Sequence, residues 1–198
     1  MKFYSDVMGI DTALIGIMMM VARFLDAFTD VTMGQIVDRS RTKKDGKFKP
    51  WMKLACGPTA ITSFLIYQSA FADASYGFKI VWMTITYILW GSIFYTAVNI
   101  PYGSMASAIS EDPGDRQSLS TYRSIGATFA SVIVGAIIPL IAYKEQNGIM
   151  ILDGKIFTTI AGVFSICAVI SYLICYSLVT ERVYIKSSEE KKQDNNVI

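Results

Sequence analysis

The sequence predicts an all-α bundle of membrane-spanning helices, and three observations carry that class. Of its 198 residues 53% are apolar and only 17% charged. The apolar residues gather into blocks long enough to cross a bilayer core of about 30 Å, which takes roughly 20 helical residues. Lys and Arg concentrate in alternate loops between those blocks, the pattern left by the positive-inside rule.

Five blocks meet the length requirement: residues 12–37, 51–72, 77–109, 122–143 and 157–179. The segments between them, 38–50, 73–76, 110–121 and 144–155, are too polar to remain in hydrocarbon. Pro101 is expected to kink the third span, where a neighbouring helix or cavity must satisfy the backbone groups that it frees. Gly126, Gly135 and Gly162 read as close-packing positions in the last two spans. Trp51, Tyr76, Trp82, Tyr143, Tyr176 and Tyr184 fall near the ends of spans and read as interfacial anchors. Beyond Thr180 the chain is rich in Ser, Glu, Lys, Asp and Asn, the composition of a mobile tail.

Orientation follows from the basic residues. Arg39, Arg41, Lys43, Lys44, Lys47, Lys49 and Lys53 crowd the first loop, Arg116 and Arg123 flank the third, and Arg182, Lys186, Lys191 and Lys192 follow the last span. Lys2, Lys79, Lys144 and Lys155 are all that the opposite side carries. The first set is therefore expected in the cytoplasm of a cell-membrane protein, with the amino terminus outside and the carboxy terminus inside. Residues 1–11 are too short and too polar for a signal peptide or a span, so an outward amino terminus predicts that a segment is missing upstream. Orientation already accounts for the basic cluster at 43–53, which makes anionic lipid head groups its expected contact and a nucleic-acid role unnecessary.

Composition also excludes chemistry. The chain has no histidine, and Cys56, Cys167 and Cys175 form no close-spaced pair, so zinc sites, disulfide frameworks and His-based acid–base catalysis lack their usual groups. No nucleophile and base stand out as a pair. An enzyme is not expected, nor is a bound cofactor.

Arg23, Asp26 and Asp30 break the first span from within. An ionisable side chain at membrane depth costs roughly 2.5–3.5 kcal/mol on insertion scales, so three in one helix point to a pathway or binding site. Asp26 and Asp30 are one turn apart, about 40° round the axis, so their carboxylates share a face and can converge on one ion. Thr29 offers another hard oxygen, and the set suits a proton or a small cation such as Na⁺ or Li⁺. The competing reading is an internal charge network that holds helices together, with Arg23 partnering one acid.

Several segments resemble the glycoside–pentoside–hexuronide:cation symporters, the melibiose-carrier branch of the major facilitator superfamily. They are Ala22-Arg23-Phe24-Leu25-Asp26-Ala27-Phe28-Thr29-Asp30, Met33-Gly34, Asp38-Arg39-Ser40-Arg41, Gly46-Lys47-Phe48-Lys49-Pro50-Trp51, Asn99-Ile100-Pro101-Tyr102, and Asp115-Arg116-Gln117-Ser118-Leu119-Ser120-Thr121-Tyr122-Arg123. Residues 3–10 are similar to the outer end of that family's first helix. The resemblance implies an incomplete amino-terminal half of a major facilitator fold: 1–11 the end of a truncated first helix, 12–179 five transmembrane helices, and 180–198 a cytoplasmic tail or inter-half linker. It further implies cation-coupled sugar symport by alternating access, with a sugar or glycoside, a monovalent cation and membrane lipid as partners, and with the carboxy-terminal transporter half as the missing one. The alternative is a non-transporting membrane subunit, or an inactive fragment, that pairs with another carrier half.

Residue by residue, the resemblance implies that Asp26, Asp30 and Thr29 hold the coupling cation, the two acids being shared with the sugar. Arg23, Asn99, Arg123 and Tyr95 are the further candidate sugar contacts. Gly34, Asp38, Arg39 and Arg41 are candidates for a cytoplasmic gate whose ion pairs stabilise one state of a rocking carrier, or whose charge sets topology alone. Asn99 stands where melibiose carriers have an acid and Gly103 where they have a ring-stacking Trp, which points away from galactosides. Asn99 otherwise reads as interhelical glue, Arg123 as a cytoplasmic anchor and Tyr95 as a packing residue.

Overall fold

The computed structural model describes residues 2–43, 45–146 and 149–183. Expectations for Lys44, Tyr184, Lys186, Lys191 and Lys192 lie outside the described residues. The helices are α1 (Thr12–Arg39), α2 (Lys49–Ile66), α3 (Tyr76–Ile88), α4 (Thr96–Ile109), α5 (Pro113–Ala142) and α6 (Gly154–Leu178). A π-helical segment, Leu89–Tyr95, joins α3 to α4 into one rod, Tyr76–Ile109.

That rod, α1, α5 and α6 are each long and apolar enough to cross a membrane. The remaining long helix, α2, has 18 residues, about 27 Å at 1.5 Å per residue, but Lys49 and Lys53 lower its hydropathy and it is not among the helices apolar enough to cross. Large apolar side chains cover the outside: Phe24, Phe28, Tyr122, Phe129 and Leu140 are all more than two-thirds exposed. In water such a surface would drive association; in lipid it is the solvated face, and the helices satisfy their own backbone. The molecule is a multi-pass membrane bundle.

The N-terminal residues pack rather than trail. Asp11 caps α1 by accepting from the Ala13 N–H at 2.8 Å, the local signature of a helix start. Before it, Phe3, Tyr4, Met8 and Ile10 are buried with Ile66, Met83 and Leu152. Phe3 lies edge-on to Tyr67, with ring centroids 5.6 Å apart. A second core at the opposite end joins Met33, Val37, Phe48, Met52, Met105 and Ala108.

Two local features depart from the sequence reading. The polar 144–155 segment carries a hairpin, β1 (Tyr143–Gln146) antiparallel to β2 (Ile149–Leu152), in register Tyr143↔Leu152. Lys144 closes it with an ion pair to Asp153 at 2.8 Å. Also, α2 stops at Ile66, and a short 3-10 turn, Ser69–Phe71, fills the rest of the expected second span.

The chain after α6 is docked as far as it is described, although its composition read as mobile. Glu181 accepts from three backbone N–H groups at the start of α2: Lys47 at 2.7 Å, Phe48 at 2.9 Å and Lys49 at 2.8 Å. Gly46, at φ 109°, makes the cradle, because a Cβ there would fall 2.4 Å from the Glu181 carboxyl carbon. Arg182 and Val183 then donate their N–H groups to Ala108 O at 2.8 and 2.9 Å. A carboxylate at a helix N-terminus meets orphan donors and the positive end of the dipole together.

Candidate functional site

The helical period puts Asp26 and Asp30 on one face of α1, and α2 reverses the chain so that the Tyr76–Ile109 rod runs parallel to α1. Parallel packing makes equal spacings match. Ser92 Oγ donates to Asp26 Oδ1 at 2.5 Å, and Thr96 Oγ1 donates to Asp30 Oδ1 at 3.0 Å. Each pair is separated by the same 66 positions in the chain. Two acids four residues apart thus face two hydroxyls four residues apart, and the hydroxyl residues are buried, Ser92 at 1% and Thr96 at 4% exposure.

The π-helical segment helps to deliver them. Its i→i+5 bonding leaves carbonyls without their ordinary partners, and such segments occur often at functional sites. Thr96 Oγ1 lies 3.3 Å from Gly91 O, five residues back. Thr59 Oγ1 of α2 lies 3.0 Å from Phe94 O. Hydroxyls therefore meet the irregular backbone at depth, as a lipid environment requires.

Around the acids, Arg23 Nη1 stands 3.6 Å from Asp26 Oδ2, with side-chain exposures of 75% and 25%. The Arg23 guanidinium thus remains largely open while touching the carboxylate. Thr29 turns its hydroxyl to its own helix, 3.1 Å from both Leu25 O and Asp26 O, so only its lone pairs could face a ligand. Asp30 is exposed. No group of three or more Cys, Asp or Glu side chains gathers as a metal site among the described residues. A cation here would draw on two carboxylates and the hydroxyls beside them, all hard oxygen donors.

One turn below Thr96, Asn99 forms a second constellation. Arg123 Nη2 donates to Asn99 Oδ1 at 3.2 Å, and the guanidinium carbon sits 4.9 Å over the Tyr102 ring. At Gly103 a Cβ would lie 3.4 Å from Arg123 Nη1, so the missing side chain gives the arginine room. Thr96, Asn99 and Gly103, spaced three and four apart, form one stripe that leads from the acids to Arg123. Tyr95 is 43% exposed, and its ring lies tilted beside that of Trp90, with centroids 5.6 Å apart.

The gate candidates are less closely joined. Gly34 has open space where a Cβ would be. Arg39 and Arg41 are exposed, while the Asp38 carbonyl accepts from Lys47 Nζ at 3.2 Å. At this end Glu181, which sequence reasoning placed in the tail, ties the chain after α6 to the start of α2. Ser92 and Thr96 were also missed. Their signal was the four-residue spacing that repeats that of the acids.

Fold and site together define a polytopic membrane protein with a charged, hydroxyl-lined seam between parallel helices. The chain belongs to the MFS/sugar transport protein family, whose profile it matches over residues 1–197. It is 35% identical over 184 residues to the glucuronide carrier protein homolog of Escherichia coli, an alignment that covers 92% of this chain and 39% of the relative. The inner membrane symporter YicJ of the same organism is 36% identical over 173 residues, covering 83% and 37%. The isoprimeverose transporter of Lactiplantibacillus pentosus is 32% identical over 191 residues, covering 96% and 39%. The chain therefore spans about two-fifths of the length of these relatives. Family and relatives are transporters, not enzymes.

Proposed function

We propose that this chain supplies one helical bundle of a cation-coupled sugar carrier that works by alternating access. The observation that carries the reading is the matched pair of carboxylate–hydroxyl contacts, Asp26 with Ser92 and Asp30 with Thr96. It places hard oxygen donors from two helices side by side in a family of transporters. The coupling ion in this proposal is Na⁺, Li⁺ or H⁺, held by Asp26 and Asp30 with the Thr29 lone pairs nearby.

The sugar, a glycoside, pentoside or hexuronide, engages the same acids together with Arg23, Asn99 and Arg123, with Tyr95 at the edge of the seam. The names of the relatives, which include a glucuronide carrier homolog and an isoprimeverose transporter, support that substrate class. Enclosing a sugar needs an opposing wall, which we assign to a second bundle of the kind that the remaining length of the relatives can hold. Cation binding removes the repulsion between the two acids and completes the sugar site. By reciprocity the sugar tightens the cation by the same factor, typically 1–3 kcal/mol of coupling. Rocking of the bundles then exposes the site to one side and then the other, with the amino terminus of this chain outside and its basic loops in the cytoplasm.

The test is sugar binding by this chain assembled with its opposing bundle, measured with and without Na⁺ or Li⁺ and across pH. Asp26→Cys or Asp30→Cys is expected to abolish the stimulation by cation. Unchanged stimulation in both variants would end the proposed ion role.

A further inference from the structure

We infer that the chain carries a built pocket for the head group of an anionic phospholipid where α1 ends and α2 begins. A cavity of about 290 Å³ opens there between Ser40, Arg41, Lys43, Pro50, Trp51 and Leu54. Its lining combines basic, aromatic and aliphatic side chains. Arg41 and Lys43 supply its basic groups; both are exposed, and neither side chain has an acceptor among the described residues. Lys47 also lines the cavity, but its ammonium is directed to the Asp38 carbonyl at 3.2 Å. The nearby Asp45 accepts from the Tyr176 hydroxyl at 3.1 Å instead of meeting the two bases.

Trp51 also lines it, with Nε1 held 3.4 Å from Ser40 Oγ. Leu54, three residues further along α2, is 71% exposed and adds an apolar side chain to the lining. Base, aromatic ring and aliphatic side chain are the partners that the phosphate, glycerol ester and acyl chain of a phospholipid need. A free phosphate would use the two basic groups and leave Trp51 and Leu54 without purpose, so the occupant is a lipid. The inference is independent of which sugar or cation the carrier takes and needs only that α1 and α2 lie in a bilayer.

Trp51 supplies the probe. The protein is reconstituted in phosphatidylcholine vesicles with increasing mole fractions of acyl-brominated phosphatidylglycerol, or of brominated phosphatidylcholine as reference. The Trp51 signal is isolated by subtracting the Trp51→Phe variant. Quenching is expected at lower mole fraction for the anionic lipid. Arg41→Gln and Lys43→Gln should each raise the half-quenching fraction roughly five-fold, the factor that corresponds to about 1 kcal/mol per basic group near an anionic surface. Lys155→Gln, a basic substitution at the other end of the bundle, should leave it unchanged. Quenching by brominated phosphatidylcholine in the Arg41 and Lys43 variants shows that the bundle is still inserted. Equal quenching by the two lipids, a preference that survives both substitutions, or its erasure by millimolar inorganic phosphate would overturn the inference.

Discussion

Ser92 donates its hydroxyl proton to Asp26 Oδ1 at 2.5 Å across two parallel helices, from a residue that is 1% exposed. A short bond from a buried donor to a carboxylate belongs to the stronger class of hydrogen bonds. Ser92→Ala is therefore expected to lower stability by about 1.5–3 kcal/mol, the range for hydrogen bonds to charged groups. Ser92→Thr keeps the donor and should recover most of that loss. Thermal unfolding in detergent, followed by helical circular dichroism, provides the comparison; no difference between the Ala variant and the parent would mean that the contact does not hold in solution.

Glu181 and Gly46 should behave as one unit. Glu181→Ala strands three N–H groups at the start of α2 and is expected to cost about 1–2 kcal/mol, as the loss of a strong cap does. Gly46→Ala meets both an unfavourable φ of 109° and the Glu181 carboxyl group, so about 1–3 kcal/mol is expected there from backbone strain together with displacement of the cap. Because the second substitution already removes the contact, the double variant should lose less than the sum. A double-mutant cycle on chemical unfolding gives the coupling, and strict additivity would count against the cradle.

The hairpin should respond to acid. Lys144 hydrogen-bonds the Asp153 carboxylate, and the Ile156 and Lys155 N–H groups add to it, so that the Asp153 pKa lies below its ordinary value. A depressed folded-state value means that the stabilisation is present above the unfolded carboxylate pKa of about 3.9 and is lost as pH falls through the folded one. Amide exchange of β1 and β2, corrected for intrinsic rates, should therefore accelerate below about pH 4. Lys144→Met should flatten that response. An unaltered pH profile in Lys144→Met would show that the pair does not govern the hairpin.

How much of this was legible in the sequence differs by scale. Helix-length apolar runs are forced by lipid and hence visible without tertiary information. Asp26 and Asp30 were visible for the same reason, because charge inside such a run is costly. Ser92 and Thr96 were not, since small hydroxyl residues are ordinary in membrane helices and gain meaning only from a partner 66 positions away. Changing α to π bonding over Leu89–Tyr95 alters no composition, so the segment left no trace to read. Glu181 shows the reverse limit: a polar, charged stretch reads as a tail, yet one carboxylate finds three donors near residue 48. The 144–155 segment reads only as too polar for hydrocarbon, because its charges outweigh the pattern of its four-residue strands.

The proposed capture of a small cation by Asp26 and Asp30 can be read from the thermal stability of the purified protein at constant ionic strength in NaCl, LiCl and choline chloride, with pH varied in parallel. A ligand that binds the folded state stabilises it by RT ln(1 + [L]/Kd), about 2.7 kcal/mol at one hundred times Kd. At least one of Na⁺, Li⁺ and H⁺ is expected to raise the midpoint in the parent protein, and the effect should vanish in Asp26→Asn and Asp30→Asn. Stability indifferent to all three, or a cation response undiminished in both variants, would contradict it.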